Sequence, residues 1–360
     1  GDGPELEAAA ARALKNHRDD EMLRAAIVLA ATPKEVRLQL ASGERVTLAG
    51  EGLRWAQTGL LPRAKPPLAL KRGAVVRVTQ QGKNWHISQW PQAEAGFVAV
   101  DPTTGHVRAL VGAFDFNRQP FNHVTQAWRQ PGSAIKPLLY SAALEHGVMP
   151  GSVIDDAPLT LPSGAANGWS PANSDAQFMG PLTLRDALAR SRNAVSVRVV
   201  QHTGVAASRD WLQRFGLDAA RQPDNLTLAL GTGSVTPMQM AQAYAVIANG
   251  GWLLPSVLVE RITDAQGKVL FEAPKPAALA EETRAIPARN AYLTASLLGG
   301  VTKSGTAARA AATQAQRSLR QDRHHQRRRR RLVRRLPAER RRRRVDGLRR
   351  AEEPGRARNR

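Results

Sequence analysis

The chain has no cysteine, which excludes disulfides, thiolate metal sites and a cysteine nucleophile. No apolar run approaches the ~20 residues that a membrane-crossing helix needs. No leader-like stretch is present, and the chain opens on Gly rather than Met. It is therefore expected to begin inside a longer protein or to have been trimmed, with any membrane anchor upstream. The eight His show no metal-ligand spacing, so no metal or cofactor is expected and His123 reads as structural. What is plentiful is apolar side chain, at 42% enough for a real core, over a length that allows two domains.

Charge is abundant but unevenly placed. Residues 314–360 hold twenty Arg against five acids, a balance of +15 in a net charge of +22. The preceding 313 residues are only mildly basic, at +7. Twenty Arg bind polyanions non-specifically, with steep salt dependence. Yet no aromatic interleaving and no RNA-binding motif accompany them, so no specific nucleic-acid partner is expected. None of the 47 tail residues is Lys, which is odd for a selected basic tail. Such a composition forms no core.

Periodicity divides the rest. Residues 1–31, rich in Ala, Leu, Glu and Arg with Leu14, Met22, Leu23 and Ile27 as the apolar set, predict helix. From Lys34 the period becomes two. Val36, Leu38, Leu40, then Val46 and Leu48, then Val76 and Val78, then Trp85 and Ile87 predict about five short strands over 32–92, which fits a small all-β barrel of OB type. A hairpin of Phe97–Val100 and Val107–Val111 opens a larger domain over 93–313, with a further hairpin about Asp264–Gly267. Helical segments are expected near 133–147, 183–203, 207–215, 236–249 and 288–301. The fold class is α/β (α+β), its sheet unfinished when the Arg-rich tail begins.

Chemistry concentrates at Ser133-Ala134-Ile135-Lys136. Ser and Lys at i and i+3 share one helix face, so the amine can take the hydroxyl proton and the oxygen can form an acyl-enzyme. The helix N-terminus offers backbone N–H groups to an oxyanion. Ser191-Arg192-Asn193, 58 residues after Ser133, has the S-x-N form that S-x-x-K acyl-transfer enzymes use: the hydroxyl relays a proton and the amide holds the Lys and a substrate carbonyl.

These motifs sit in a wider pattern. Phe114-Asp115-Phe116-Asn117, the run Phe121 to Ser133, Pro181-Leu182-Thr183-Leu184-Arg185, Ala229-Leu230-Gly231, Val235 to Met240 and Ala248-Asn249-Gly250-Gly251 closely resemble class A penicillin-binding proteins, the bifunctional peptidoglycan synthases. The resemblance covers about residues 20–313. It implies an OB-like insertion before a D,D-transpeptidase domain, with a glycosyltransferase domain and membrane helix upstream, at the periplasmic face of the bacterial inner membrane. It makes Ser133 the acylated nucleophile and Lys136 its base, with Ser191 and Asn193 completing the second motif. The D-Ala-D-Ala end of a stem peptide becomes the substrate, lipid-linked glycan strands become partners and β-lactams become inhibitors. A D,D-carboxypeptidase or β-lactamase-like hydrolase is the alternative, since both use the same Ser and Lys; a polyanion binder acting through the Arg tail is a further one.

One family element is missing. The third motif, Lys-Thr-Gly-Thr on an edge strand, binds the substrate carboxylate, and no such string occurs here. The nearest, Lys303-Ser304-Gly305-Thr306, follows directly on a helix, although Gly305-Thr306-Ala307-Ala308 matches the stretch that precedes the motif in the family. Where the motif belongs stands Arg320-Gln321-Asp322-Arg323-His324-His325-Gln326. With codons CGG CAA GAC CGG CAC CAC CAA, reading one base later yields Gly-Lys-Thr-Gly-Thr-Thr. Leu332-Val333-Arg334 likewise recodes to Trp-Phe, and Val345-Asp346-Gly347 to Trp-Met-Gly, as the family's later strands require. A frameshift near Thr313 is expected. By the resemblance, it would remove three of the five strands of the central sheet, strip the Phe97 hairpin of its neighbours and leave the chain impaired or inactive.

Overall fold

The computed structural model describes residues 3–20, 22–161, 168–274 and 280–309. Thr313 and the Arg-rich tail lie outside the described residues. The chain divides between Glu94 and Ala95 into two units.

In the first, helix α1 (Pro4–Leu14) precedes five antiparallel strands: β1 (Arg24–Ala31), β2 (Glu35–Leu40), β3 (Arg45–Ala49), β4 (Val75–Gln81) and β5 (Asn84–Ser88). Their order is β3-β2-β1-β4-β5, and β3 approaches β5, which curls the sheet toward a barrel. The helical reading of residues 1–31 is corrected here, because 24–31 form the central strand. Helix α1 ends at Leu14, and Asp19 and Asp20 then shape the turn into β1 by accepting hydrogen bonds from the amides of Ala25, Met22 and Leu23 at 2.7, 2.7 and 2.5 Å. Beyond that turn, Ala26 and Val28 face the barrel core with Val36, Leu38 and Leu48, while Ala25 and Ile27 face Ala10 and Leu14 of α1. A strand buried on both faces shows no period of two, and its alanines, which mimic helix composition, are what let α1 lie close.

The second unit opens with the hairpin β6 (Phe97–Val100) and β7 (Val107–Val111). Among the described residues no third strand extends it beyond one parallel bridge from His106 to Val257. Phe97 and Val111 face each other across the hairpin, 59% and 51% exposed. The helices are α2 (Lys136–Glu145), α3 (Leu184–Ala189), α4 (Asn193–Thr203), α5 (Val205–Gln213), α6 (Pro237–Asn249) and α7 (Ala288–Lys303), with short hairpins β8 (Val153–Asp156) with β9 (Gly180–Thr183), and β10 (Arg261–Thr263) with β11 (Val269–Glu272). The helix expected over 183–203 is broken at 190–192, where Ser191 takes a left-handed φ of 55°.

Helix α2 organises this unit. Every residue from Lys136 to Leu144 is buried. Its Leu138, Leu139 and Ala142 join one apolar cluster with Val197, Leu212 and Phe215, while Tyr140, Ala143 and Leu144 join another with Leu184, Leu188 and Leu297. A helix apolar all round is a core helix. A polar seam fixes α7 against it: Asn290 Nδ2 donates to Ser141 O and Glu145 Oε1 at 2.8 and 2.9 Å. The start of α6 is set by a capping box of Thr236 and Gln239 with Pro237 in the first turn.

Two glycines separate close approach from mere flexibility. A Cβ at Gly59 would lie 2.2 Å from the Leu68 carbonyl oxygen, whereas at Gly299, inside α7, it would meet nothing within 4 Å. Gly59→Ala is expected to destabilise the first unit by about 2 kcal/mol, and Gly299→Ala to stabilise the second by up to about 1 kcal/mol. Denaturant unfolding with a probe in each unit measures both signs.

Candidate active site

Ser133 lies in a turn of 3-10 helix (Gly132–Ile135) that feeds α2, and the Lys136 amide donates to the Ser133 carbonyl, so the two residues sit one turn apart. Ser133 is exposed, whereas Lys136 is 1% exposed. The turn is held from a distance. Arg129 and Val235 exchange backbone hydrogen bonds at 2.9 and 3.0 Å, and the Gly132 amide donates to the Gly231 carbonyl at 3.2 Å. Gly231 is left-handed, and a Cβ there would lie 2.2 Å from the Gly132 oxygen, so only glycine fits. Tyr244 donates its hydroxyl to Ala134 O at 2.9 Å; burial pushes this phenol up to about 12, so it stays a donor. Of the backbone N–H groups at this helix start, the Ala134 amide donates to Pro131 O at 3.2 Å.

The buried Lys136 Nζ donates to Ser191 O at 2.8 Å, Ser191 Oγ at 3.1 Å and Asn193 Oδ1 at 2.7 Å. Three acceptors satisfy the three N–H bonds of an ammonium, the condition for burying one. Burial, and then the positive charge of Arg192, hold its pKa down to about 8. Ser191 aims both carbonyl and hydroxyl at the amine because it adopts the left-handed conformation between α3 and α4, a position glycine usually fills. Lys136, Ser191 and Asn193 are thus brought together. Among the described residues the Ser133 hydroxyl makes no hydrogen bond and stands open at the helix start.

Beneath the S-x-N turn lies a polar layer that the sequence reading missed. Arg192 is buried, its Nε donating to Asp156 Oδ2 and its Nη1 to Asp175 Oδ2, both at 2.8 Å. Asp156 has no solvent exposure and also accepts from Asn173 Nδ2 at 2.9 Å and the Met179 amide at 3.0 Å. Asn173 Oδ1 in turn accepts from the Asn193 amide at 2.7 Å, capping α4, while Asn193 Nδ2 donates to Ala172 O at 2.8 Å. Both bonds of Asn193 fix the amide that meets Lys136. Asp156 and Asn173 lie 36 and 20 residues from their partners, with no local spacing to betray them.

Lys303-Ser304-Gly305-Thr306 closes α7 rather than forming a strand. Thr306 donates its amide to Ala189 O at 3.1 Å, and Gly305 packs so tightly that a Cβ would lie 2.2 Å from the same oxygen. Its Lys303 is exposed. His123 serves structure, its Nδ1 3.0 Å from Gly112 O and its ring edge-on to Phe121.

An open serine one turn before a buried lysine, with a second serine and an asparagine amide on that lysine, is the arrangement that serine acyl-transfer chemistry calls for. Residues 95–319 match the penicillin-binding protein transpeptidase domain and residues 1–93 the penicillin-binding protein OB-like domain. The chain belongs to the penicillin-binding protein transpeptidase family. It is 40% identical over 295 residues to penicillin-binding protein 1A of Neisseria cinerea, covering 81% of this chain and 37% of that protein. To penicillin-binding protein 1A of Escherichia coli (strain K12) it is 42% identical over 256 residues, covering 69% and 30%. The chain thus spans about a third of the length of these relatives. The crystal structure of penicillin-binding protein 1A from Haemophilus influenzae superposes with a TM-score of 0.73 at 31% identity, over 84% of this chain and 49% of that one. PonA1 of Mycobacterium tuberculosis in complex with penicillin V gives 0.50 at 26% identity, over 59% and 58%.

Two outcomes follow from the buried charges. Lys136 titrates near 8 in the folded chain against an ordinary 10.5, so the unfolded chain binds more protons between those values. Stability relative to Lys136→Met is expected to rise from about pH 8 to about pH 10.5, by at most about 3 kcal/mol, in denaturant titrations across that range. Asp156→Ala leaves Arg192 buried and short of a partner, and is expected to cost about 3–5 kcal/mol. Asp175→Ala, at the half-exposed end of the same guanidinium, should cost far less than Asp156→Ala by the same measurement.

Proposed function

We propose that this chain derives from a peptidoglycan D,D-transpeptidase that cross-links stem peptides through an acyl-serine. The observation that carries the reading is the Lys136 amine held by Ser191 and Asn193 one turn from an open Ser133. When neutral, Lys136 accepts the Ser133 proton as the oxygen attacks the carbonyl between the last two D-Ala residues of a stem peptide. The carbon–nitrogen bond then breaks, the departing D-Ala amine takes a proton through the Ser191 hydroxyl, and an acceptor amine releases the acyl group. A β-lactam presents a strained amide to the same oxygen, in keeping with the penicillin complex of PonA1. The parent is a class A synthase with a glycosyltransferase domain and membrane anchor, working at the periplasmic face of the inner membrane on lipid-linked glycan strands.

In this chain the reaction is impaired. The Lys-Thr-Gly element is absent from the sequence, and Lys303-Ser304-Gly305-Thr306, at a helix end, offers no strand edge to a substrate carboxylate. The recoding of residues 320–326 into Gly-Lys-Thr-Gly-Thr-Thr supports a frameshift near Thr313 as the cause. Fluorescent penicillin is expected to label Ser133 slowly or not at all, and labelling is expected to return when the reading frame is restored at Thr313 and to vanish again with Ser133→Ala. Labelling of the present chain at the rate of the restored one would overturn the impairment. Failure of the restored chain to label would overturn the transpeptidase reading. Sequencing the coding DNA across Thr313 locates the shifted base.

A further inference from the structure

The first unit carries a cleft that nothing above uses. It has a volume of about 200 Å³ and lies between the 3-10 helix Gly50–Leu60 and the hairpin of β4 and β5, remote in sequence from Ser133. Leu53, Ala56 and Leu60 of that helix are buried in the barrel core, whereas Trp55, on its other side, is 80% exposed. An indole is the largest apolar side chain, and leaving it in water contributes nothing to folding. Arg54 stacks with its guanidinium carbon 5.3 Å from the ring centroid, which stiffens the ring and occupies a single face.

The opposite wall is polar and built on rigid backbone. Thr79 and His86 are directly paired across β4 and β5, with Gln81 and Ser88 on the same face of the two strands. The 3-10 helix is seated on β5 without slack, since a Cβ at Gly52 would lie 2.4 Å from the Trp85 carbonyl oxygen. Charge at the cleft balances, with Glu51 against Arg54 at 3.9 Å. A flat aromatic face beside hydroxyl, amide and imidazole groups, with Glu51 and Arg54 offsetting one another, does not select a phosphate chain or an anionic surface. It suits a ligand with one apolar face and a rim of hydroxyl or amide groups.

We propose that this cleft binds a neutral pyranose unit of a glycan chain, with the sugar's C–H face on Trp55 and its polar rim on Gln81 and His86. The barrel type to which the unit is similar includes oligosaccharide binders. The choice of an N-acetylated glycan as ligand rests on the proposed transpeptidase reading, in which the stem peptide is carried on such a strand; the cleft itself does not. The unit would then hold the strand while the second unit works on its peptides.

The experiment titrates the full chain with the tetramer of β-1,4-linked N-acetylglucosamine, a neutral probe to which the Arg-rich tail is indifferent. The Trp55 indole N–H resonance, assigned from Trp55→Phe, is followed by NMR and binding is measured by calorimetry. The expected result is saturable movement of that resonance with a Kd on the order of 1 mM or tighter. Trp55→Ala should abolish binding and Gln81→Ala weaken it by about fivefold or more, a loss of ~1 kcal/mol. Because Trp55 is largely exposed, its replacement leaves the fold intact, which thermal unfolding verifies. Absence of saturation, or equal binding by Trp55→Ala, overturns the proposal. Ser133→Ala should bind as the parent chain does, and Trp55→Ala should not alter penicillin labelling of the frame-restored chain. Sugar binding and acylation can therefore fail separately.

Discussion

A buried guanidinium needs an anion, and Arg192 finds it in Asp156, which has no solvent exposure at all. The pair is costly to form, because both ions leave water, and costlier to break, because either partner alone would remain charged in the interior. It therefore fixes its surroundings. Arg192 is the middle residue of the S-x-N turn, so anchoring it sets the point where α3 ends and α4 begins. The left-handed Ser191 on one side and the capped Asn193 on the other follow from that anchor. The Lys136 ammonium is then met by three acceptors whose positions none of the three chooses for itself.

The same charge has a second effect. Arg192 is held near Lys136, where its field, added to burial, favours the neutral amine. The Asp156 and Asp175 carboxylates hold the guanidinium in place despite the burial that opposes its charge. A residue outside the acceptor set of Lys136 thus helps determine the protonation state of that amine. This is a division of labour between the pair that holds the turn and the groups that meet the amine.

Much of this was legible in the residues. Ser133, Lys136, Ser191 and Asn193 stand in short motifs whose spacing states which side chains can meet, and the capping box at Thr236 and the hairpin turn at Asp101–Gly105 are local chemistry. What was not legible depended on distance or on burial. Asp156 and Asn173 have no spacing signature, since the end of β8 brings Asp156 to Arg192 from 36 residues away and a loop brings Asn173 to Asn193 from 20. Strand β1 was mistaken for helix because a central strand covered on both faces needs small and apolar residues without alternation. The break at 190–192 was hidden because serine in a left-handed conformation carries no sequence mark, as glycine would.

These features bear on how a chain can lose one part of a site and keep another. The amine, its three acceptors and the layer beneath them lie between Lys136 and Asn193, on helices and turns, at the end of β8 at Asp156 and in the loop at Asn173. Their packing is closed by α5, α6 and α7, and α2 is fully buried within the described residues. By contrast the β6–β7 hairpin shows its Phe97 and Val111 pair to solvent, and it is beside such a sheet that a strand-borne carboxylate clamp would have to stand. On the proposed transpeptidase reading, the proton-transfer half of the site therefore depends on the helical core and the substrate-anchoring half on the sheet. Under the proposed frameshift the first half keeps its geometry while the second has no scaffold, so a well-formed Lys136 cluster in this chain is compatible with poor acylation.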